Sequence, residues 1–387
     1  MRILYIHASF VPPPVKPEAD RFFLLSERLE GDILQPIWHS TPEQVEKIFG
    51  PDSYPTRMCG RFRYHWFLGW KYTGLRRKME LFRFYIGKAL ELHRRQPFDC
   101  IVVYSHQMSA VMASLVKLFT GARLVVEIAT TPDLVHLTDR PVPSFRDKMK
   151  HLFSDLCLHV SSLSANRLHL LSPDQMAAYP MLRNVPGSVF HEFVPVSAIQ
   201  RRSGESARPY IIFVGAPWFL KGVDLLIHAF RQVAGDFPEV DLKLLGHFPD
   251  RKVLDTMMEG CTRIEVIKAL PYPDTLKLIS EAAALVLPSR CEGMGRVLIE
   301  AMAAGIPVIG SDVGGIPHMI RDGENGYVFP RGNAAALEAK LRLVLGDKDL
   351  RARLGDNGYR MAHTQFNEAG WVNGFAGMVE AAVRGDA

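Results

Sequence analysis

The sequence carries one pattern twice. Short apolar runs alternate with amphipathic helical stretches over residues 3–171, the pattern lapses, and it restarts over residues 210–345. In the first half the strand-like runs are Ile3–Ile6, Asp32–Trp38, Cys100–Tyr104, Leu124–Ile128 and Leu168–Leu171. Between them, Glu18–Leu29 spaces Phe22, Phe23, Leu25 and Leu29 for an inward face. Residues 75–95 set Leu75, Met79, Phe82, Ile86 and Leu90 on one helical side, and Ser109–Phe119 stops at Gly121. The second half repeats this with strands at Tyr210–Val214, Val240–Leu245 and Ile264–Ile267 and helices at Gly222–Ala234, Pro273–Ala282 and Ala334–Leu345. Runs without a polar side fit parallel strands covered by helices on both faces. At 387 residues the chain exceeds one ordinary core. The expected fold is therefore α/β, with two Rossmann-like doubly wound domains facing a cleft. They cover residues 1–196 and 210–365, joined by the polar, aperiodic segment 197–209. A final helix within 366–387 is expected to turn back toward the first domain.

The rest of the composition mostly excludes. Five widely spaced cysteines (Cys59, Cys100, Cys157, Cys261, Cys291) form no CxxC pair, so neither a zinc site nor a disulfide framework is indicated. MRILYIHASFVPPP starts as a strand and offers no small-residue cleavage site, and no apolar run reaches about 18 residues. A cytoplasmic chain is the expectation.

The chemistry concentrates in Leu285–Gly310, LVLPSRCEGMGRVLIEAMAAGIPVIG. It reads as a buried strand, a Gly-punctuated turn, a short helix and a second buried strand. Amides at Gly293, Met294, Gly295 and Arg296 fall at a helix start, where unpaired N–H groups and the helix dipole favour phosphate. Glu292 lies in the turn, where the carboxyl end of a strand opens to a ligand. Glu300 lies in an almost wholly apolar helix, where a carboxylate needs partners such as sugar hydroxyls. Read singly, both are ordinary turn and surface glutamates. Lys221 stands at another helix start, against the dipole, and an anion would resolve that misplacement; alone it reads equally as a solvated lysine. Gly314-Gly315-Ile316-Pro317 fits a plain tight turn as well as a close ligand approach. Together these features describe a nucleotide-diphosphate-sugar site.

The same set resembles the family 4 glycosyltransferases of the GT-B fold. The resemblance rests on FVG…KGVDLLIHAF, LPSRCEGMGRVLIEAMAAGIPVIGSDVGGIPHMI with its E-x7-E spacing, and DGENGYVF. It covers Tyr210–Leu345 well. The first half matches in outline only, through FDCIVVYSHQMSA and TGARLVVEIA. The resemblance implies a retaining, metal-independent enzyme with no cofactor beyond its nucleotide-sugar donor. By it, Glu300 binds the donor ribose and Glu292 the transferred sugar. Lys221, Gly215 and Gly293–Arg296 hold the diphosphate, and backbone near Leu270–Tyr272 meets the base. The chain departs from the pattern in three places. Gly215-Ala216 replaces a frequent Gly-Arg, so one phosphate cation is missing, with Arg296 or Arg290 as stand-ins. Ala129 replaces a frequent His, leaving Glu127, Thr130 or Thr131 to contact the sugar. The first loop has PPP where a Gly pair is frequent. Of three first-half histidines at strand ends or loops (His7, His106, His136), each of which reads first as structural, His106, following a strand, is the best placed for acceptor or sugar.

The formal charge is +5, and Arg57–Arg95 holds eleven Lys/Arg against two Asp/Glu. Blandly this is a basic helix with an aromatic core face. Functionally it reads as a surface on an anionic membrane, with Trp66, Phe67, Trp70 and Tyr72 inserted and Arg61, Arg63, Lys71, Arg76, Arg77 and Lys78 on headgroups. No nucleic-acid-binding motif accompanies it. The expected protein is a peripheral enzyme at the cytoplasmic face of the inner membrane. It would move a hexosyl unit to a glycan or lipid-linked acceptor in cell-surface polysaccharide or glycolipid synthesis. Two alternatives stay open: a non-catalytic nucleotide-sugar-binding or scaffold subunit, and a nucleotide-sugar epimerase. Base, sugar, linkage and oligomeric state are not legible.

Overall fold

The structure, a computed structural model, describes residues 1–7, 20–37, 56–105, 107–129, 142–202, 204, 206–248 and 251–386, with residues 70 and 251 described by backbone alone. The PPP loop, His106, Thr130, Thr131, His136 and the Trp70 side chain lie outside the described residues. The chain forms two compact units: Met1–Ala129, Lys150–Phe190 and Ala369–Ala387 make the first, and the remainder makes the second.

Unit 1 is built on an eight-stranded sheet. Its strands are β1 (Arg2–His7), β2 (Glu30–Ile37), β3 (Thr56–Cys59), β4 (Phe62–Leu68), β5 (Cys100–Tyr104), β6 (Arg123–Ile128), β7 (Arg167–Leu170) and β8 (Gly187–Val189). They lie in the order β3-β4-β2-β1-β5-β6-β7-β8. All pairings are parallel except the β3–β4 edge hairpin. Strand β1 sits centrally, as its apolar run requires, with Ile3 to Ile6 fully buried.

Strand β4 corrects the membrane reading. Phe62, Tyr64, Trp66 and Phe67 are buried inside unit 1. Trp66 donates from Nε1 to Gln35 at 3.2 Å, and Phe67 packs on Phe84 at 5.6 Å between ring centroids. Trp66 and Phe67 are thus core residues of a strand held between β2 and β3, with helices above it, and cannot insert into lipid. Tyr72 is half-buried, stacked on Phe67 and covered by Arg76.

The apolar stripe of residues 75–95 is covered only in part. Gly74–Arg83, a π-helical turn at Phe84–Lys88 and Ala89–Arg95 run on as one helical stretch. Its first part turns Leu75, Met79 and Phe82 to solvent, Leu75 being 74% exposed. Only Tyr85, Ala89 and Leu92 are buried. Amphipathic spacing marks an apolar stripe, but tertiary packing decides whether the stripe is covered. Similarly, the helix inside Glu18–Leu29 is only Arg21–Leu25, capped by Asp20, and Phe23 points outward.

The last helix, Glu368–Arg384, belongs to unit 1 after its first residue. Phe375 reaches the Tyr5 ring at 6.2 Å, and Arg28 pairs with Glu380 at 2.5 Å. Arg167 donates to the Asp386 carbonyl at 2.6 Å.

Among the described residues, unit 2 carries six parallel strands: β9 (Tyr210–Val214), β10 (Asp241–Gly246), β11 (Ile264–Lys268), β12 (Ala284–Leu287), β13 (Val308–Ser311) and β14 (Gly326–Phe329). Their order is β11-β10-β9-β12-β13-β14. Chain direction through the sheet reverses between β9 and β12. Ligands of such sheets bind outside the carboxyl ends at this reversal. The loops leaving β9 and β12 are Gly215–Gly222 and Pro288–Gly295, the two stretches singled out above.

Candidate active site

Two left-handed glycines bring these loops together. Gly222 (φ 71°) starts the Val223–Val233 helix, and a Cβ there would lie 2.0 Å from the Pro288 carbonyl oxygen. Gly314 (φ 54°) admits the Glu292 carbonyl, which a Cβ would meet at 1.9 Å. Beside it, the Gly315 amide donates to the Gly293 carbonyl at 2.8 Å. The Gly-Gly-Ile-Pro turn is thus a backbone support under Glu292–Met294. Ser311 adds a brace from β13, donating to the Ser289 carbonyl at 2.6 Å.

On this scaffold Lys221 and Glu292, 71 residues apart, meet at 2.6 Å from Nζ to Oε2. Ser289, which the sequence did not single out, donates to the same oxygen at 3.1 Å. Both charged side chains are largely shielded from water, so their attraction is screened less than at the surface. An ammonium carries three donors and Glu292 takes one, so Lys221 can hold the carboxylate and an anion together.

Gly295 (φ 83°) begins the Arg296–Ala303 helix without a side-chain cap. The first-turn amides therefore have the character of an anion site. Glu300, one turn on, is only 7% exposed. Its Oε1 accepts from the Tyr272 hydroxyl at 3.2 Å and lies 3.8 Å from the Arg296 guanidinium. Burial holds the Glu300 carboxyl above its ordinary range, against the opposing pull of Arg296 and Tyr272. Burial and the Glu300 charge push the Tyr272 phenol up, which keeps it a donor. From sequence the expected contact is the backbone near Tyr272. Its side chain reaches Glu300 because the Tyr272–Ser280 helix packs beside the Arg296–Ala303 helix.

The two proposed stand-in cations separate. Arg290 is committed elsewhere: it makes paired 2.7 Å bonds to Asp224, donates to the Phe219 carbonyl and lies over the Phe219 ring. Such a bidentate, stacked guanidinium is a structural clamp between loops. Arg290 is therefore engaged within the protein and does not fit the role of a phosphate ligand. Arg296 is half-exposed at the helix start and fits that role. Met294 is buried, and its sulfur accepts from the Glu192 amide at 3.1 Å; only its backbone is suited to a ligand. Gly215 closes β9 with its amide on the Leu245 carbonyl at 3.0 Å, and Leu270 is partly exposed ahead of Tyr272.

Glu127 is a correction. It lies inside unit 1, 4% exposed, with Oε1 2.7 Å from His169 Nδ1 and Oε2 accepting from Tyr5 at 2.6 Å. Its carboxylate is spent on internal partners, not on a sugar. Burial alone would raise this carboxyl, but His169, Arg21 and Tyr5 hold it below its ordinary range. A depressed carboxyl contributes stability above its unfolded pKa and loses it as pH falls through the folded value. Glu127→Gln is expected to destabilise unit 1 by about 3 kcal/mol at neutral pH, with the difference shrinking in acid. Urea unfolding of both proteins at neutral and acidic pH checks this. His106 and Thr130, the other candidate contacts, fall outside the described residues.

Residues 197–361 match the family glycosyl transferases group 1. An uncharacterized glycosyltransferase of Methanocaldococcus jannaschii is 33% identical over 149 residues, which is 38% of this chain and 41% of that protein. The chain thus spans less than half of that relative. N-acetyl-alpha-D-glucosaminyl L-malate synthase of Bacillus anthracis is 26% identical over 297 residues, 72% of this chain and 74% of that one. Among solved structures, Anabaena Alr3699/HepE in complex with UDP-glucose superposes with a TM-score of 0.71 at 15% identity, covering 99% of this chain and 100% of the other. The parallel-stranded units and the whole-length structural likeness agree that this chain has the GT-B fold, and within it residues 197–361 match the glycosyl transferases group 1 family.

Proposed function

We propose that the protein is a retaining, metal-independent glycosyltransferase that moves a hexosyl unit from a nucleotide-diphosphate sugar to a glycan or glycolipid acceptor at a membrane face. The observation that carries this is the grouping at the β9/β12 reversal: Lys221 on Glu292, an uncapped helix start with Arg296, and buried Glu300 beyond it. A donor fits this grouping in sequence. The ribose hydroxyls donate to Glu300, the diphosphate meets the amides of Gly293–Arg296 with Arg296 and Lys221, and the sugar lies against Glu292.

The chemistry follows from where charge develops. As the bond from the sugar's anomeric carbon to the diphosphate oxygen breaks, negative charge grows on the leaving phosphate. Fixed cations and amides around it stabilise that growth more than they stabilise the ground state. The acceptor oxygen bonds to the same face of the anomeric carbon, and its proton passes to the departing phosphate oxygen. No enzymatic base is then required, so Ala129 costs the reaction no proton acceptor. The UDP-glucose held by the Anabaena structure makes that donor the first to try. Enzyme action is favoured over a scaffold role because Lys221 and Glu292 are both present and paired.

Calorimetry with a panel of nucleotide sugars tests the reading, and failure of every one to bind would sink it. For the donor that binds, affinity should depend on pH. Ribose hydroxyls need an ionised Glu300, whose carboxyl is raised in the free protein. Donor affinity is therefore expected to be full above that raised value and to fall as the group protonates. Glu300→Gln should give a weaker, flat profile over the same range. Nuclear magnetic resonance of the first-formed product then reports whether the anomeric configuration is kept.

A further inference from the structure

The Phe145–Ser164 helix packs the reverse of an ordinary surface helix. Within unit 1 it buries Ser154, Cys157, Leu158, Ser161 and Ser162, while Leu152, Phe153, Leu156, Val160 and Leu163 face solvent. The inner serines are satisfied locally: Ser161 donates to the Leu158 carbonyl and Ser162 to that of His159. This leaves an outward apolar stripe at helical spacing. The Gly74–Arg83 helix turns a second stripe outward, Leu75, Met79 and Phe82. A groove of about 960 Å³ connects them, lined by Met79, Phe82, Met108, Met112 and Phe153, with Lys78 and Arg83 at its rim. That volume is at the upper end of small-molecule sites, roughly 300–1,000 Å³. Two exposed apolar stripes joined by an apolar groove with cations beside it offer a surface for an apolar ligand carrying a polar end.

Charge identifies the occupant. Within unit 1 these two helical segments carry five Lys/Arg (Arg76, Arg77, Lys78, Arg83, Lys150) against two Asp/Glu (Glu80, Asp155). A second copy of the chain would bring the same excess face to face, and like charges oppose that contact. An anionic amphiphile satisfies both features at once.

We propose that this groove seats the hydrocarbon chain of an anionic membrane lipid, with Lys78 and Arg83 on its headgroup. The proposal rests on the membrane-face reading above and moves the membrane contact from the buried β4 aromatics to the outward stripes of these two helices.

Three measurements on the full chain test it, with wild type, Phe153→Asp, the pair Lys78→Gln/Arg83→Gln, and Leu343→Asp as a control on an exposed leucine of unit 2. Phe153 is itself half-exposed, so its replacement should leave the fold intact. Wild type should float with vesicles of equal phosphatidylcholine and phosphatidylglycerol and not with phosphatidylcholine alone. It should also bind the fluorescent long-chain carboxylate cis-parinarate saturably without vesicles. Phe153→Asp should weaken both at least tenfold and the double variant should weaken vesicle binding, while Leu343→Asp changes neither. Parinarate binding indifferent to Phe153→Asp overturns the proposal, as does vesicle binding indifferent to headgroup charge. A wild-type dimer in sedimentation that Phe153→Asp dissociates, without vesicle binding, overturns it in favour of a second copy. Calorimetry with the donor runs alongside: its loss in wild type refutes the transferase reading and leaves the lipid result standing.

Discussion

Lys221→Ala is expected to lower kcat by roughly 10²–10³ while leaving donor affinity much less changed. The ammonium sits 2.6 Å from Glu292 at the loop leaving β9, and the proposed donor pose sets it against the leaving phosphate rather than the base or ribose. Its attraction to the diphosphate grows as the glycosidic bond breaks, so its removal falls mainly on the transition state. Steady-state kinetics with the donor saturating, together with calorimetry on the same variant, separates the two quantities. An unchanged kcat would remove Lys221 from the chemistry and restore the scaffold alternative. The variant also strips Glu292 of its partner, while Ser289 still donates to that carboxylate, so the turn should keep its shape.

The second large effect is on binding. Glu300→Ala is expected to weaken the donor by about 10–100-fold, since hydrogen bonds to a charged group contribute about 1.5–3 kcal/mol each. The group is nearly enclosed, with Tyr272 and Arg296 as its neighbours in the free protein. Low exposure makes its hydrogen bonds to ribose stronger than the same bonds in water. Nucleoside diphosphate without the sugar should lose as much affinity as the whole donor, because Glu300 is assigned to the ribose. If calorimetry finds the nucleotide-sugar affinity unchanged, the ribose assignment is wrong and the order of donor groups along the site must be redrawn.

Much of the second unit was legible because its information is local. The strand, turn, helix and strand of Leu285–Gly310 are contiguous, and β12, the Arg296–Ala303 helix and β13 match them to within one residue at either end of the stretch. A glycine at a helix start and a glutamate in an apolar helix are visible without coordinates. The doubly wound class followed in the same way from apolar runs at regular intervals. Where reading failed, the missing fact was a partner far along the chain. Arg290 looks like any free cation until Asp224, 66 residues earlier, folds against it. Glu127 looks like a ligand group until His169 and Tyr5 arrive from β7 and β1.

Faces divide the same way. Alternation and helical spacing determine that a stripe exists, because they depend only on backbone geometry. The cations around Trp66 and Phe67 in sequence suggest a lipid-facing pair, yet neighbouring strands and helices bury both. Helical spacing puts Leu75, Met79 and Phe82 on one side, and only the structure shows that this side faces solvent, as does the outward stripe of the Phe145–Ser164 helix. By itself the sequence determined the fold class, the loops that carry the site and the residue types in it, all consequences of short-range periodicity and turn chemistry. Only the tertiary structure decided which cation is clamped, which carboxylate is internal and which apolar face stays open, because each depends on contacts between segments that the chain separates by tens of residues.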